Sequence, residues 1–240
     1  MAKTPRPFTV HRPGPIKELE DNLWTVDDVV PGIPGGAFPR KMSIVKLGDG
    51  RLLLFNAIPL PDAGMKELAA LGEPAFLFAP SPFHCIDAHA MRTRLGVKVL
   101  APPRAVEKVR EVVAVDGSYE MVPADAGVRF EKLDGTKFDE TALVVKSGDR
   151  TSIVFCDAFF NILGSLPGFW GWLWGMMGFT GGPRCGPMWL RRAVVDRAAL
   201  RASMEKLAAL PGLVRLVPSH GEPCERDAAA TLRAVAATIR

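Results

Sequence analysis

The sequence predicts a mixed α/β fold with mixed sheets, and three observations lead there. Short apolar or alternating runs of strand length recur from residue 22 to residue 218. Helical patterns with recognisable starts and stops lie between many of them. Two Gly-Asp turns, Gly48-Asp49-Gly50 and Gly148-Asp149, close hairpins and so add antiparallel pairs to the parallel ones that helical crossovers produce.

Each element follows from local chemistry. Residues 1–20 are rich in Pro and charge and read as a loose lead-in. Asn22–Val30 alternates as a half-buried strand, and the Gly and Pro of Pro31–Gly36 make a loop. Lys41–Leu47 and Arg51–Ala57 are the arms of the first hairpin, and Asp62 is expected to cap a helix ending at Leu71-Gly72. Ala75–Ala79 is a continuous apolar run, as a strand buried on both faces requires. After the loop Pro80–Asp87 come a helix to about Leu95, a short strand at Lys98–Ala101, and a helix opened by Pro102-Pro103 that runs to about Val112. Strands follow at Val128–Leu133, Thr141–Ser147 and Thr151–Cys156. Asp196 caps an amphipathic helix closed by Pro211-Gly212, Val214–Pro218 is a strand, and Arg226–Ile239 is the last helix.

Composition narrows the function classes. The chain has 240 residues and 48% apolar residues, enough for a sizeable core in a single domain over 1–240 without covalent staples. A net charge of +4, with no basic stretch interleaved with aromatics, excludes nucleic acid as the expected partner. Cys85, Cys156, Cys185 and Cys224 form no CxxC pair, so they read as separate thiols in a reducing, cytoplasmic compartment. The basic start is followed by no apolar h-region, so no secretory signal is expected. The chain also carries no GxSxG elbow, Walker loop or HExxH helix.

Polar residues with ligand chemistry stand just after three expected strands: His84, Asp157 and His220. The segments that hold them run in a particular order. Phe76-Leu-Phe-Ala-Pro-Ser-Pro-Phe-His-Cys-Ile-Asp87 is followed by a helix and Lys98-Val-Leu-Ala-Pro; Ser152-Ile-Val-Phe-Cys-Asp157 comes next; Leu216-Val-Pro-Ser-His-Gly221 comes last. This series resembles the metallo-β-lactamase superfamily over about residues 20–225. The first segment matches its strand, HxHxDH loop and helix, the second its bridging Asp, the third its terminal metal-binding His. The resemblance implies a four-layer αβ/βα sandwich with a Trp-rich helical insertion at 159–193 near the mouth of the site.

The chain departs from that pattern. Pro80 and Pro82 stand where the first two His of HxHxDH belong, His84 falls on its Asp and Cys85 on its last His. Leu133–Lys137 has no His where the family's middle one belongs, and Lys137 is a candidate charge in its place. The resemblance therefore implies one metal ion at the second site, Zn or Fe, held by His84, Asp157 and His220 with Cys85 as a further ligand. Asp157 is also the catalytic candidate as general base, with Asp87 behind it; His89 ranks below His84 because a helix starting near Asp87 turns it away. Two functions stay open: a mononuclear metal-dependent hydrolase acting on a small, partly apolar ester, amide or phosphoester, and a non-catalytic protein using the altered cleft to bind a small molecule, lipid or partner. The loop Pro31–Pro39 is a candidate lip of the pocket, and Gly181-Gly182 a turn or hinge.

Phe159–Phe179 has no charged residue over 21 positions, near the length of a spanning helix. Pro167, five Gly and Trp residues placed mid-segment at 170, 172 and 174 favour a buried helix–turn–helix cap. A peripheral membrane or subunit contact through 159–179 is the second reading, and a membrane span the third.

Overall fold

The structure, a computed structural model, describes residues 6–32 and 38–240. Residues 33–36 of the expected Pro31–Gly36 loop, and 33–37 of the candidate lip, lie outside the described residues. The chain forms two compact units, Met1–Asp28 with Lys41–Arg129, and Val29–Arg40 with Phe130–Arg240.

The first unit is built on a six-stranded sheet in sequential order. Its strands are β1 (Lys17–Glu20), β2 (Leu23–Val29), β3 (Pro39–Lys46), β4 (Arg51–Phe55), β5 (Glu73–Phe78) and β6 (Lys98–Leu100). The Gly48–Gly50 turn makes β3 and β4 antiparallel, whereas β4, β5 and β6 run parallel. Helix α1 (Asp62–Leu71) makes the crossover from β4 to β5, and α2 (Ala88–Leu95) the one from β5 to β6. The sheet is mixed for the reason the turn and helix signals gave.

Three details differ from expectation. The lead-in contains β1, an edge strand of sequence Lys-Glu-Leu-Glu paired antiparallel with β2. It carries no apolar alternation because backbone bonds and the 3.1 Å Lys17–Asp27 ion pair hold it, so hydrophobic periodicity could not reveal it. Asp62 is the first residue of α1 and not its cap: Pro61 is extended at the cap position, and the Asp62 carboxylate pairs with Arg94 at 3.1 Å. The helix expected over 103–112 shortens to a 3-10 turn at Pro103–Ala105 followed by α3 (Val106–Val109).

The second unit holds a four-stranded sheet of order β12-β9-β8-β7. Its strands are β7 (Val128–Lys132), β8 (Thr141–Ser147), β9 (Arg150–Phe155) and β12 (Leu213–Pro218). Strand β9 is antiparallel to β8 and parallel to β12. Between β9 and β12 the chain forms β10 (Phe160–Ile162), α4 (Gly168–Met176), β11 (Gly182–Arg184), α5 (Pro187–Arg192) and α6 (Arg197–Ala208); α7 (Ala228–Ala237) closes the chain. As expected, Asp196 caps α6, its Oδ1 accepting from the Ala199 N–H at 3.0 Å. Leu200, Met204 and Leu207, spaced to share one helix face, join Leu232 and Val235 of α7 in a core with Ile153, Phe155 and Leu216 of the sheet. Truncating Leu207 to alanine is expected to cost roughly 2–5 kcal/mol, read as a lowered urea midpoint.

The insertion at 159–193 is not the buried helix–turn–helix cap that was expected. Its first residues form β10, which pairs antiparallel with β11 in a two-stranded ribbon. Helix α4 buries only Gly171 fully and leaves Phe169, Trp172 and Met176 exposed. No helix among the described residues is long and apolar enough to cross a membrane, which removes the spanning reading.

Candidate functional site

The register of two parallel strands builds the centre of the site. Phe155 of β9 stands beside Pro218 of β12. Two residues beyond each, past the carboxyl ends of the strands, lie Asp157 and His220. Exits from adjacent parallel strands are where α/β sheets place ligands. The two turns are tied together by Ser219, whose N–H and Oγ both reach the Phe155 carbonyl at 2.9 Å. Asn161 of β10 fixes the second turn, donating its N–H to the His220 carbonyl at 3.0 Å and its Nδ2 to the Glu222 carbonyl at 2.8 Å. Gly186 donates to the Asp157 carbonyl at 3.1 Å.

Gly221 is obligatory in this turn. Its φ is +99°, and a Cβ there would run into the Asn161 carbonyl. Gly221→Ala is expected to destabilise the protein by at least about 2 kcal/mol, visible in thermal unfolding.

The side chains of Asp157 and His220 are both buried and face each other, with His220 Nε2 3.5 Å from Asp157 Oδ1. The other imidazole nitrogen, Nδ1, is 2.7 Å from the Pro39 carbonyl. A carbonyl only accepts, so Nδ1 carries the hydrogen, and in the neutral ring Nε2 presents a lone pair. In the neutral ring a lone pair and a carboxylate oxygen then stand opposite one another, two donors able to hold one cation. Two donors each about 2.1 Å from one tetrahedral zinc ion stand about 3.4 Å apart, so the observed spacing fits one ion shared by both residues. The Nδ1–carbonyl bond is the outer-shell contact that orients a metal-binding histidine. Phe160 and Phe38 flank the imidazole, with ring centroids 4.5 and 5.1 Å away, and keep this side of the site dry.

Behind Asp157 lies Glu140, which is fully buried. Its Oε1 accepts the Ala158 N–H at 2.7 Å, the Trp189 indole lies against the carboxyl, and Oε2 makes no hydrogen bond of normal geometry. Burial first, and the Asp157 carboxylate second, push the Glu140 carboxyl well above its ordinary value near 4.5. Burial therefore favours the protonated form of Glu140, whose carboxyl supports the Asp157 turn.

The protein is similar in structure to a metallo-beta-lactamase from Pontibacter korlensis, at 13% identity, over 92% of this chain and 98% of that one, with a TM-score of 0.61. It is also similar to the DIM-1 metallo-beta-lactamase exposed to ceftazidime, at 11% identity, over 97% and 100% of the two chains, with a TM-score of 0.65. The chain has the metallo-β-lactamase fold. No family model matches its sequence, and no curated protein does either.

Asp157 and His220 face each other within the second unit. His84 and Cys85 are residues of the first unit. There Cys85 is buried and its thiol lies 3.2 Å from the Pro82 carbonyl; His84 is half-buried, and its N–H donates to the Ser81 carbonyl at 3.0 Å. Asp87 is buried at the start of α2, and His89 lies in that helix. Lys137 is exposed, its Nζ 5.4 Å above the Phe138 ring, and does not take up the buried position a substitute charge would need.

The sequence reading passed over Glu140 and Cys156. Glu140 was visible as an acid set directly before the apolar strand Thr141–Val145, where a solvated turn would not need it. Cys156, fully buried, was counted only as a thiol, although it adjoins Asp157. Burial first, and the charge of Glu140 second, push the Cys185 thiol up to about 12. A thiol reagent at neutral pH is therefore expected to label Cys224, which is only partly buried, well before the three buried cysteines, with all four reacting once the chain is unfolded.

Proposed function

We propose that this metallo-β-lactamase-fold protein holds a single zinc or iron ion through Asp157 and His220 and hydrolyses a small, partly apolar ester, amide or phosphoester. The observation that supports it is the Nε2–Oδ1 juxtaposition at 3.5 Å, with the opposite ring nitrogen committed to the Pro39 carbonyl. The order of the sequence motifs adds His84 as third ligand and Cys85 as a fourth, and His84→Ala and Cys85→Ser variants read their shares of the affinity. Such an ion supplies Lewis-acid polarisation of the scissile oxygen.

The chain's own groups do the rest. The Pro39 carbonyl holds the imidazole in one tautomer and orientation. Asp157 is the candidate acceptor for a proton from an attacking water. Glu140 fixes the backbone after Asp157 through the Ala158 N–H, and Phe38 and Phe160 exclude solvent beside the imidazole. Prolines at positions 80 and 82, in place of two family ligands, support a second reading in which the cleft binds a small molecule without turnover.

Chromogenic esters, anilides and phosphodiesters offered to zinc- or iron-loaded protein decide between the two. Turnover that disappears in a folded Asp157→Asn variant is the expected result. A full complement of metal with no rate above that of the free ion would favour binding alone.

A further inference from the structure

Helix α4 presents two different faces. Gly171 is buried against the Leu166 backbone, where a Cβ has no room, and Trp174 packs on Phe38 and Phe179 at centroid distances of 5.2 and 5.3 Å. These residues anchor the helix to the aromatic cluster that also contains Phe160 and Ile162. The opposite face carries Phe169, Trp172 and Met176, spaced i, i+3, i+7, with fractional exposures of 66, 57 and 68%. Phe169 stacks on Trp172 at 5.7 Å, so the apolar stripe is continuous along the helix. Large apolar side chains exposed as one stripe mark a contact surface more than chance does.

The charge of the chain segment that carries this stripe says what the contact is. From Ala158 to Val195 the chain has no Asp or Glu, and it has three Arg. Arg184 folds back on the turn after α4, donating to the carbonyls of Gly178, Gly181 and Gly182 at 3.0–3.2 Å, and so fixes a positive charge beside the end of the helix. On α5, exposed Met188 is followed one turn later by exposed Arg191 and Arg192. Exposed Trp, Phe and Met with Arg, in a segment that holds no acid, form the pattern that partitions into the headgroup region of an anionic bilayer. An isologous self-contact would set the same cationic surface against its own copy.

We propose that the outer face of α4, with the arginines of β11 and α5, docks this protein on the surface of an anionic phospholipid bilayer. Phe169, Trp172 and Met176 enter the headgroup–acyl boundary, and Arg191 and Arg192 meet lipid phosphates. The docking is peripheral and does not depend on metal binding or hydrolysis.

Co-sedimentation of the full chain with vesicles tests this, using phosphatidylcholine alone and phosphatidylcholine mixed with phosphatidylglycerol. The expected result is binding to the mixed vesicles, weakened by added salt and absent with phosphatidylcholine alone. Phe169→Ser with Trp172→Ser, and separately Arg191→Gln with Arg192→Gln, should each lower it by roughly tenfold or more. All four side chains are exposed, and circular dichroism confirms that the variants fold. In the unmodified protein, quenching of tryptophan fluorescence by brominated acyl chains gives a second readout that needs no variant. No binding to the mixed vesicles, binding unchanged in both double variants, or an α4-dependent dimer that ignores vesicles would each overturn the proposal.

Discussion

Replacing His220 with alanine is expected to weaken zinc binding by roughly a hundredfold or more, since removing even an outer partner of a metal ligand costs about 10–100-fold. The prediction follows from the direction in which the ring is held. Nδ1 is committed to the Pro39 carbonyl, so Nε2 faces Asp157 Oδ1 with a lone pair, and the site loses one of its two facing donors with the imidazole. Asp157→Asn keeps the shape but removes the charge and should lose most of the affinity as well. Competition against a chromogenic zinc chelator measures both variants. If the His220 contact were only structural, the alanine variant would lose stability while binding zinc as tightly as before.

The second large effect concerns Glu140. In Glu140→Ala the buried Ala158 N–H loses its acceptor and a cavity opens beside the Asp157 turn, a cost of roughly 2–4 kcal/mol. Glu140→Gln keeps an oxygen for that N–H and cannot ionise. The folded-state carboxyl is raised above the unfolded value near 4.5, so the native state binds more protons than the unfolded state above that pH. Its contribution to stability is fully present below about pH 4.5 and is lost as the pH rises toward the folded-state value. Urea midpoints across this range should fall in the wild type and lose that component of the slope in Glu140→Gln. An unchanged slope in the Gln variant would mean that Glu140 is not the group responsible.

Much of the fold was legible because its strands are buried and its turns carry Gly and Asp. The hairpin at Gly48–Gly50, the strand Thr141–Ser147 and the Asp196 cap all fall where local chemistry places them. β1 escaped because Lys-Glu-Leu-Glu is held by its backbone and by an ion pair, neither of which leaves a hydrophobic period. In the insertion, the apolar run of Phe159–Phe179 was read as buried. Apolarity does not say which face of a helix is covered, and only the packing of Gly171 and Trp174 shows that Phe169 and Trp172 are on the other side.

Part of the candidate site was legible in a similar way. Asp157 and His220 stand out in the sequence because each follows an apolar strand, and the parallel register of β9 and β12 makes them neighbours. The Pro39 carbonyl that sets the histidine tautomer lies 181 residues from His220, and no local pattern announces it. Glu140 was missed because its role comes from burial behind Asp157 and not from a motif.

The central claim is that a single metal ion joins Asp157 and His220. Elemental analysis of tag-free protein, saturated with zinc or ferrous iron and then dialysed, tests it most directly. The account predicts close to one equivalent retained by the wild type and its loss in His220→Ala; less than about a tenth of an equivalent in the wild type would contradict it.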